Sequence, residues 1–336
     1  MKDERILLAH GSGGKLSHDL VARVMQPAFA NPALDLMHDG ARVEAAGAKL
    51  AFTTDSYVVK PLFFAGGDIG KLAVCGTVND LAVSGATPLY LSAGFIIEEG
   101  FPVADLRRIV ASMRAAAEEA GVSVVTGDTK VVEKGAVDGI YINTAGIGAV
   151  IAGTDISPLN ARPGQDIILN GPIGDHAVAV MAGRHGLSLP ASVASDCAPL
   201  AGMIKAVLAA VPQVAVLRDP TRGGLATTLN EIAAQAGVGI MVDEAAIPVR
   251  PEVQAVCDIL GFDPLYLANE GKAIIFVESP YSEEVITVMR AHPYGREARV
   301  IGRVTPAPAG QVGLRTGIGG VRLLDMLVGD QLPRIC

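Results

Sequence analysis

The sequence ends in Pro333-Arg334-Ile335-Cys336, so its last side chain is a cysteine thiol. Chain termini are usually the most mobile part of a domain. A nucleophilic sulfur on a mobile tail can visit more than one active site, which is the geometry of a carrier arm. The alternative is an incidental tail residue or half of an exposed disulfide, and a single motif does not decide between them.

A glycine-rich segment at residues 10–15 has the composition of an anion-binding loop. Glycine frees successive backbone N–H groups to surround an anion, and a lysine adds a point charge. The residues concerned are Gly11, Ser12, Gly13, Gly14 and Lys15. The P-loop spacing fails, because Ala9 stands where the first glycine would be and Leu16 follows the lysine. The segment predicts a phosphate-binding loop, with an ordinary flexible loop as the alternative.

Four aspartates lie beside small residues at the predicted ends of strands or on a helix of small residues. They are Asp55, Asp80, Asp128 and Asp219, and their neighbours include Asn79, Gly127 and Thr221. Carboxylates in such places suit Mg²⁺ that is held against nucleotide phosphates. Aspartate also commonly caps helices and turns, so each residue alone favours a cap. The four together, with the glycine-rich segment, favour a metal and nucleotide site.

The elements that must position these residues alternate between strands and helices, which predicts a mixed α/β (α+β) fold in two domains. In the first half, strands are predicted at 49–59, 88–97, 122–126 and 139–151. One helix is predicted from its Asp68 cap to about Ser84, and a second from Pro102 to just before Gly121. The stretch 152–164 holds two prolines and few periodic apolar residues, and is predicted to be the linker. We therefore predict an N-terminal domain over 1–155, a C-terminal α/β domain over 156–325 and a flexible tail over 326–336.

Composition excludes several classes of protein. The net charge of −8 provides no basic face for nucleic acid. Mean hydropathy is high at +0.40, but the longest uncharged stretches, 81–97 and 139–154, are interrupted and too short to span a membrane. The four cysteines lie far apart with no CxxC pair, and no secretory leader is visible, so a reducing cytoplasm is expected. Cys75, Cys197 and Cys257 lie in apolar patterns and are expected to be inert helix-packing residues.

Together these motifs resemble the aminoimidazole-ribonucleotide-synthetase superfamily, which includes selenophosphate synthetase and thiamine-monophosphate kinase. The resemblance covers essentially the whole chain. It rests on residues 11–15, 54–56, 78–82, 127–129 and 219–224. With the terminal Pro-Arg-Ile-Cys, the chain resembles the hydrogenase-maturation carbamoyl dehydratases of that superfamily.

The resemblance implies a homodimer in which N-terminal-domain strands form a shared β-barrel, with a C-terminal α/β sandwich. It implies that the N-terminal domain over 1–155 binds ATP and forms the dimer. It implies ATP between the domains, and Mg²⁺ on Asp55, Asp80 and Asp219 with Asp128 contributing. In this family the terminal cysteine receives a carbamoyl group from the carbamoyltransferase HypF. ATP-dependent dehydration then gives a thiocyanate, and the cyanide passes to iron on the HypC–HypD complex.

The residues support this chemistry in part. An amide oxygen is a poor leaving group until it is phosphorylated, and phosphoryl transfer needs positioning and charge neutralisation, which Lys15 and Mg²⁺ would supply. Glu270, just before a predicted strand, is the candidate general base, and His10 is a second candidate. Cys336 must be a thiolate to accept a carbamoyl group; Arg334 favours that state and the terminal carboxylate opposes it.

Two other functions stay open at this point. A selenophosphate-synthetase-like kinase would usually carry a cysteine or selenocysteine in the glycine loop, where this chain has Ser12. A carrier or scaffold without ATP hydrolysis is the second alternative, and the retained Lys15 and aspartates argue against it.

Overall fold

A computed structural model of the protein describes residues 5–29, 31–186, 190, 193–327 and 334–336. These residues form two units that each combine a β-sheet with helices, which confirms the predicted mixed α/β class. The helices of the first unit are α1 (Lys15–Leu20), α2 (Gln26–Phe29), α3 (Ile69–Val83) and α4 (Val103–Ala120). Its strands are β1 (Ala41–Ala45), β2 (Ala48–Tyr57), β3 (Phe63–Phe64), β4 (Gly67–Asp68), β5 (Ala86–Glu98), β6 (Ser123–Val132) and β7 (Ile140–Val150).

The second unit alternates strands and helices in the same way. Its helices are α5 (Asp175–His185), α6 (Ala201–Ala210), α7 (Gly224–Ala236), α8 (Pro251–Leu260) and α9 (Ser282–Arg290). Its strands are β8 (Gln165–Leu169), β9 (Val216–Arg218), β10 (Gly239–Asp243), β11 (Ile274–Glu278), β12 (Arg299–Thr305), β13 (Val312–Arg315) and β14 (Val321–Leu323). Among the described residues, none of the helices combines the length and apolarity needed to cross a bilayer.

The N-terminal sheet has the order β1-β2-β7-β5-β6 and buries only one of its faces. Along β2, Thr53 and Tyr57 are buried, whereas Phe52, on the opposite face of the strand, is 50% exposed. This alternation follows from the two-residue period of a strand. Within one chain the sheet is open, so a barrel shared with a second copy stays a prediction.

Helix α3 lies between the N-terminal sheet and the second unit and buries 13 of its 15 residues. Its start is set by Asp68, whose Oδ1 accepts hydrogen bonds from the N–H groups of Gly70 and Lys71 at 2.8 and 3.0 Å. Gly76 allows β2 to approach, since a Cβ there would collide with the Tyr57 hydroxyl. A helix that is buried on all sides carries apolar residues around its whole circumference. One continuous core therefore runs from the first unit into the second.

The C-terminal sheet, of order β14-β13-β10-β12-β8-β11-β9, is covered on both faces. Ile168 and Ile275 pack in the core that α5, α6 and α9 share with α3. Ile167 and Phe276 face the opposite way, into the core that contains α7. All five residues of β8 are buried, as expected for a strand covered on both faces.

Two local expectations were wrong. Strand β6 was expected to end at Thr126, but it pairs in parallel with β5 as far as Val132, so Asp128 lies inside a strand. Cys75 and Cys257 lie on α3 and α8 as expected, whereas the buried Cys197 lies in an irregular segment before α6. Both errors come from long-range packing, which local patterns do not report.

Candidate active site

A cavity of about 190 Å³ lies where the two units meet the C-terminal tail. It brings together the glycine-rich segment, the end of β2, the loop after β9 and the last three residues of the chain. The lining includes Gly11, Ser12, Ser56, Val58, Arg222, Gly223, Tyr266, Leu327, Arg334, Ile335 and Cys336. Segments from both ends and the middle of the sequence therefore converge on one site.

The glycine-rich segment is seated on the second unit through its backbone. Gly13 has a φ of +78°, and a Cβ there would collide with the Cβ of Arg222. The Lys15 N–H donates to the Leu327 carbonyl at 2.9 Å, and the Arg222 guanidinium donates to the Gly11 carbonyl at 3.3 Å. Glycine is required here because the backbone makes a left-handed turn against another chain segment.

Two predicted residues of this segment lie away from the cavity lining. Lys15 is exposed and begins α1, and Gly14 is buried against Leu327. The Nδ1 atom of His10 accepts a hydrogen bond from the Leu7 N–H at 2.9 Å, a local role. The roles predicted for Lys15 and His10 in catalysis stay predictions.

Asp55, Asp80 and Asp219 form an acidic cluster next to the cavity. Burial raises the pKa of Asp80 well above its ordinary value, and the nearby charges of Asp219 and Asp55 raise it further. Burial also raises the pKa of Asp219 to about 8, with Asp39 as the next cause. Thr53 donates a hydrogen bond to Asp80 Oδ2 at 2.8 Å. A bound cation would favour the charged forms of Asp80 and Asp219, which burial and neighbouring carboxylates disfavour.

Asp39 and Arg218 belong to this cluster, although neither residue was predicted from sequence. Arg218 lies 2.7 Å from carboxylate oxygens of both Asp39 and Glu231. These carboxylates hold the pKa of Arg218 above its ordinary value. The side chain of the neighbouring His38 is also buried, and burial together with the charge of Arg218 lowers its pKa to about 3. Asp39 stands in an Asp-Gly pair, which is typical of a turn, so its burial could not be recognised from sequence.

The acidic cluster fits Mg²⁺ bound to a nucleotide better than a metal held by protein alone. Among the residues the structure describes, no three His, Cys, Asp or Glu side chains form a ready-made metal cage. Mg²⁺ that binds nucleotides commonly takes one or two carboxylates and completes its shell with phosphates and water. Asp55, Asp80 and Asp219 can supply those carboxylates, and their mutual repulsion would be relieved by the cation.

Asp128 is not brought to this cluster within one chain. The strand registers place it in one row with Gly94, Asn143 and Ser56, on the outer face of the sheet. Three strand spacings put it roughly 14 Å from Ser56 along that row. It is exposed and paired with Lys130 at 2.7 Å, which lowers its pKa. Gly127 is its neighbour in β6. A nucleotide-binding role for Gly127 or Asp128 stays a prediction.

Asn79 ties the two units together. Its side-chain N–H groups donate to the carbonyls of Ala198 and Glu270 at 3.0 and 3.3 Å, and its oxygen accepts from the Leu200 N–H at 2.8 Å. This amide is therefore committed to positioning the loop that carries Glu270. Thr221 closes the turn after Asp219 through its backbone, since its carbonyl accepts from the Gly224 N–H at 2.9 Å.

Glu270 is buried, with 4% of its surface exposed, and lies close enough to the terminal thiol to raise the pKa of Cys336. Burial raises its pKa well above the ordinary value, and the neighbouring charges of Cys197 and Asp55 add to that shift. A carboxylate with a raised pKa is a stronger base and is matched to proton transfer near neutral pH. This environment suits the general base that the sequence predicted.

The last three residues of the tail are held in the site by backbone hydrogen bonds. The Val58 N–H donates to the Cys336 carbonyl at 3.1 Å, and the Lys60 N–H donates to the Arg334 carbonyl at 3.2 Å. Ile335 is 5% exposed, and His176 lies 2.9 Å from its carbonyl oxygen. Pro333 and most of the predicted tail, residues 328–333, lie outside the described residues.

The side chain of Arg334 points away from the terminal thiol. It pairs with Asp138 at 2.7 Å, donates to the Val58 carbonyl at 2.9 Å and lies over the Tyr141 ring. Arg222, not Arg334 as the sequence suggested, is the cation that lowers the pKa of the Cys336 thiol. Burial outweighs it and raises that pKa to about 12, with smaller contributions from Glu270 and Asp55. The docked thiol is therefore protonated.

Comparison with known proteins agrees with this geometry. The AIR synthase related protein family matches through its N-terminal domain over residues 37–150 and its C-terminal domain over 162–315. The carbamoyl dehydratase HypE of Rhodobacter capsulatus is 54% identical over 341 residues, covering 100% of this chain and 99% of its own. The chain belongs to the HypE family of carbamoyl dehydratases.

Solved structures of HypE proteins share the fold. A HypE–HypF complex has a TM-score of 0.87 at 49% identity, covering 92% of this chain and 99% of its own. A hydrogenase maturation protein HypE in complex with ATP has a TM-score of 0.84 at 50% identity, covering 99% and 100%. The predicted family and the two-domain α/β fold are confirmed.

Proposed function

We propose that this HypE-family protein dehydrates a carbamoyl group carried on Cys336 to a thiocyanate, with ATP as the co-substrate. The observation that supports it most is the placement of the Cys336 tail. The last residue lines the same cavity as the glycine-rich segment and lies close enough to Glu270 for that carboxylate to affect its pKa. A terminal thiol held beside a candidate base and a candidate phosphate loop is the arrangement that such a reaction needs.

The reaction divides into two steps that balance. The carbamoyl oxygen attacks the γ-phosphorus of ATP, and ADP leaves. The C–O bond of the resulting phosphoryl ester then breaks, phosphate leaves, and the nitrogen loses both protons as the C≡N bond forms. The carbamoyl group thus loses one water, which ATP consumes in becoming ADP and phosphate.

Each part of the site has a role in this scheme. The backbone N–H groups of residues 11–14, with Lys15, would bind the phosphates, and Glu270 would accept a proton from the carbamoyl nitrogen. Arg222, in the cavity wall, would stabilise negative charge near the reacting oxygen. Mg²⁺, when bound at Asp55, Asp80 and Asp219, neutralises charge on the triphosphate. Asp128, Gly127, Asn79 and Thr221 remain candidate nucleotide contacts.

The partners are inferred from the relatives. A solved HypE–HypF complex supports a HypF-type carbamoyltransferase as the donor to Cys336. We propose the HypC–HypD complex as the acceptor of cyanide, a cytoplasmic location, and a homodimer that covers the exposed outer face of the N-terminal sheet. Phe52, Tyr90 and Val125 on β2, β5 and β6 are at least half exposed in one chain.

Mass spectrometry of the C-terminal peptide tests the reaction. Protein loaded by a carbamoyltransferase and carbamoyl phosphate would be freed of donor and incubated with ATP and Mg²⁺. The peptide should lose the mass of one water, and Cys336→Ala protein should show neither loading nor loss. Loaded protein that keeps its mass while it hydrolyses ATP would overturn the proposal, and a loaded protein that binds ATP without hydrolysis would favour a carrier.

A further inference from the structure

His176 is a fully buried histidine that the sequence analysis did not select. It is the second residue of α5 and has no exposed surface. Its ring packs edge-on against Phe64 with centroids 5.4 Å apart. Burial lowers its pKa, so the ring is neutral and carries one N–H.

The two ring nitrogens of His176 have different partners, and these partners fix the tautomer. Nε2 lies 2.9 Å from the Ile335 carbonyl oxygen, which can only accept a hydrogen bond, so Nε2 carries the proton. Nδ1 lies 2.8 Å from Ser195 Oγ and must accept from that hydroxyl. Ser195 Oγ in turn accepts from the Cys197 N–H at 3.1 Å.

The segment around Ser195 also holds the backbone of Glu270. Asp196, next in the chain, accepts from the N–H groups of Glu270 and Gly271 at 3.1 and 3.3 Å. Lys272 compensates its charge at 2.9 Å. Asn269 adds a second link, because its Oδ1 accepts from the N–H of Gly174, the residue that precedes α5, at 2.8 Å.

We propose that His176 is a positioning residue that holds the last peptide of the tail at a fixed place relative to Glu270, acting through the Ile335 carbonyl on one side and Ser195-Asp196 on the other. This rests on the proposed function, because it assumes that the group on Cys336 reacts while the tail is docked. Proton transfer requires donor and acceptor within hydrogen-bond reach, so a shared support for both is a direct way to hold that distance.

The test uses full-length protein with His176→Leu and His176→Gln. Leucine removes both ring nitrogens, whereas the glutamine amide can still donate to the Ile335 carbonyl. Two rates are measured: alkylation of Cys336 by iodoacetamide without ATP, and water loss from preloaded protein in a single turnover with ATP. For His176→Leu we expect alkylation about tenfold faster and water loss about tenfold slower, the effect of one buried hydrogen bond. For His176→Gln both rates should return to within about threefold of the wild type.

Several controls separate positioning from general damage. Cys75, Cys197 and Cys257 are buried, so their alkylation reports unfolding. ATP affinity should stay within about twofold of the wild type, because His176 lies outside the phosphate loop. If His176→Leu does not fold, Ser195→Ala is used instead: it keeps the ring but removes the hydroxyl that fixes the ring through Nδ1, and faster Cys336 alkylation is expected.

Three results would overturn the inference: unchanged rates in His176→Leu, equal impairment in His176→Gln and His176→Leu, or unchanged Cys336 alkylation in Ser195→Ala. Failure of the proposed function is distinguishable from these results. In that case wild-type protein would show no water loss, whereas the alkylation rates would still report tail docking.

Discussion

Replacing Arg334 with alanine tests how strongly the side chain of the tail holds it in the site. The substitution removes the pair with Asp138, the hydrogen bond to the Val58 carbonyl and the contact with the Tyr141 ring. It leaves the backbone hydrogen bonds of the tail in place. Because docked and undocked tails interconvert within one folded protein, the change should alter that equilibrium and leave the fold intact.

The size of the effect follows from the exposure of these groups. The Asp138 side chain is 45% exposed, so the ion pair contributes only about 0.5 kcal/mol. The hydrogen bond to Val58 adds about 1–1.5 kcal/mol and the ring contact about 0.5 kcal/mol. Among the residues that the structure describes, buried Arg334 Nη2 has no partner, which costs about 1 kcal/mol. The net loss is about 1–1.5 kcal/mol, or about five- to twelvefold in docking.

Alkylation of Cys336 measures this equilibrium, since the docked thiol is protonated and half-buried. The rate for Arg334→Ala should rise by about five- to twelvefold at a pH where free thiols react. Arg315→Ala is the matched control, because it removes an exposed ion pair with Asp243, on β13 and β10 of the second unit. An Arg334→Ala rate within twofold of the wild type would show that the backbone alone holds the tail and that this reasoning is wrong.

Three further predictions concern the chemistry and the assembly. Glu270→Gln should accept carbamoyl normally but lose water at least about a hundredfold more slowly, the usual effect of removing a general base; unchanged single-turnover rates would exclude Glu270 as that base. Asp80→Asn should slow the same step by orders of magnitude and trap the carbamoylated peptide. The folded pKa values of Asp80 and Asp219 are raised, so wild-type protein without Mg²⁺ should lose thermal stability as the pH rises from about 4 to about 8. A melting temperature that rises over this pH range would contradict the raised pKa values of these two carboxyls. Light scattering should give a dimer of the 34.5 kDa chain, and a folded monomer at micromolar concentration would refute the shared barrel.

Local sequence signals predicted the parts of the site that depend on local structure. The Asp68 cap of α3 and the left-handed Gly121 after α4 were readable from residue type, and so was the glycine-rich segment. The terminal cysteine and the aspartates at 55, 80 and 219 were also selected from sequence, and their roles stay predictions. These features follow from chemistry within a few residues.

Residues placed by distant contacts were missed. His176 meets Ile335 across 159 positions, and Asp196 meets Glu270 across 74, so no local pattern joins them. Asp39 has the sequence pattern of a turn residue, and only the structure shows its ion pair with Arg218. Asp128 was predicted to follow the end of a strand. The strand continues past it because β6 pairs with β5 as far as Val132, and local residue types do not show that pairing. Buried polar residues of this kind become recognisable only once the topology is known.

The tail's own hydrogen bonds set a limit on turnover that no diffusing substrate would have. A reacting group attached to the chain has a local concentration that is independent of bulk supply. Under the proposed function, the tail must divide its time between its own site and that of the partner that loads it. Tighter docking would favour dehydration but slow the loading of Cys336 by the partner. Weaker docking would have the opposite effects. The part-exposed pair of Arg334 with Asp138, and an Nη2 that has no partner among the described residues, mean that the Arg334 side chain adds only modestly to docking.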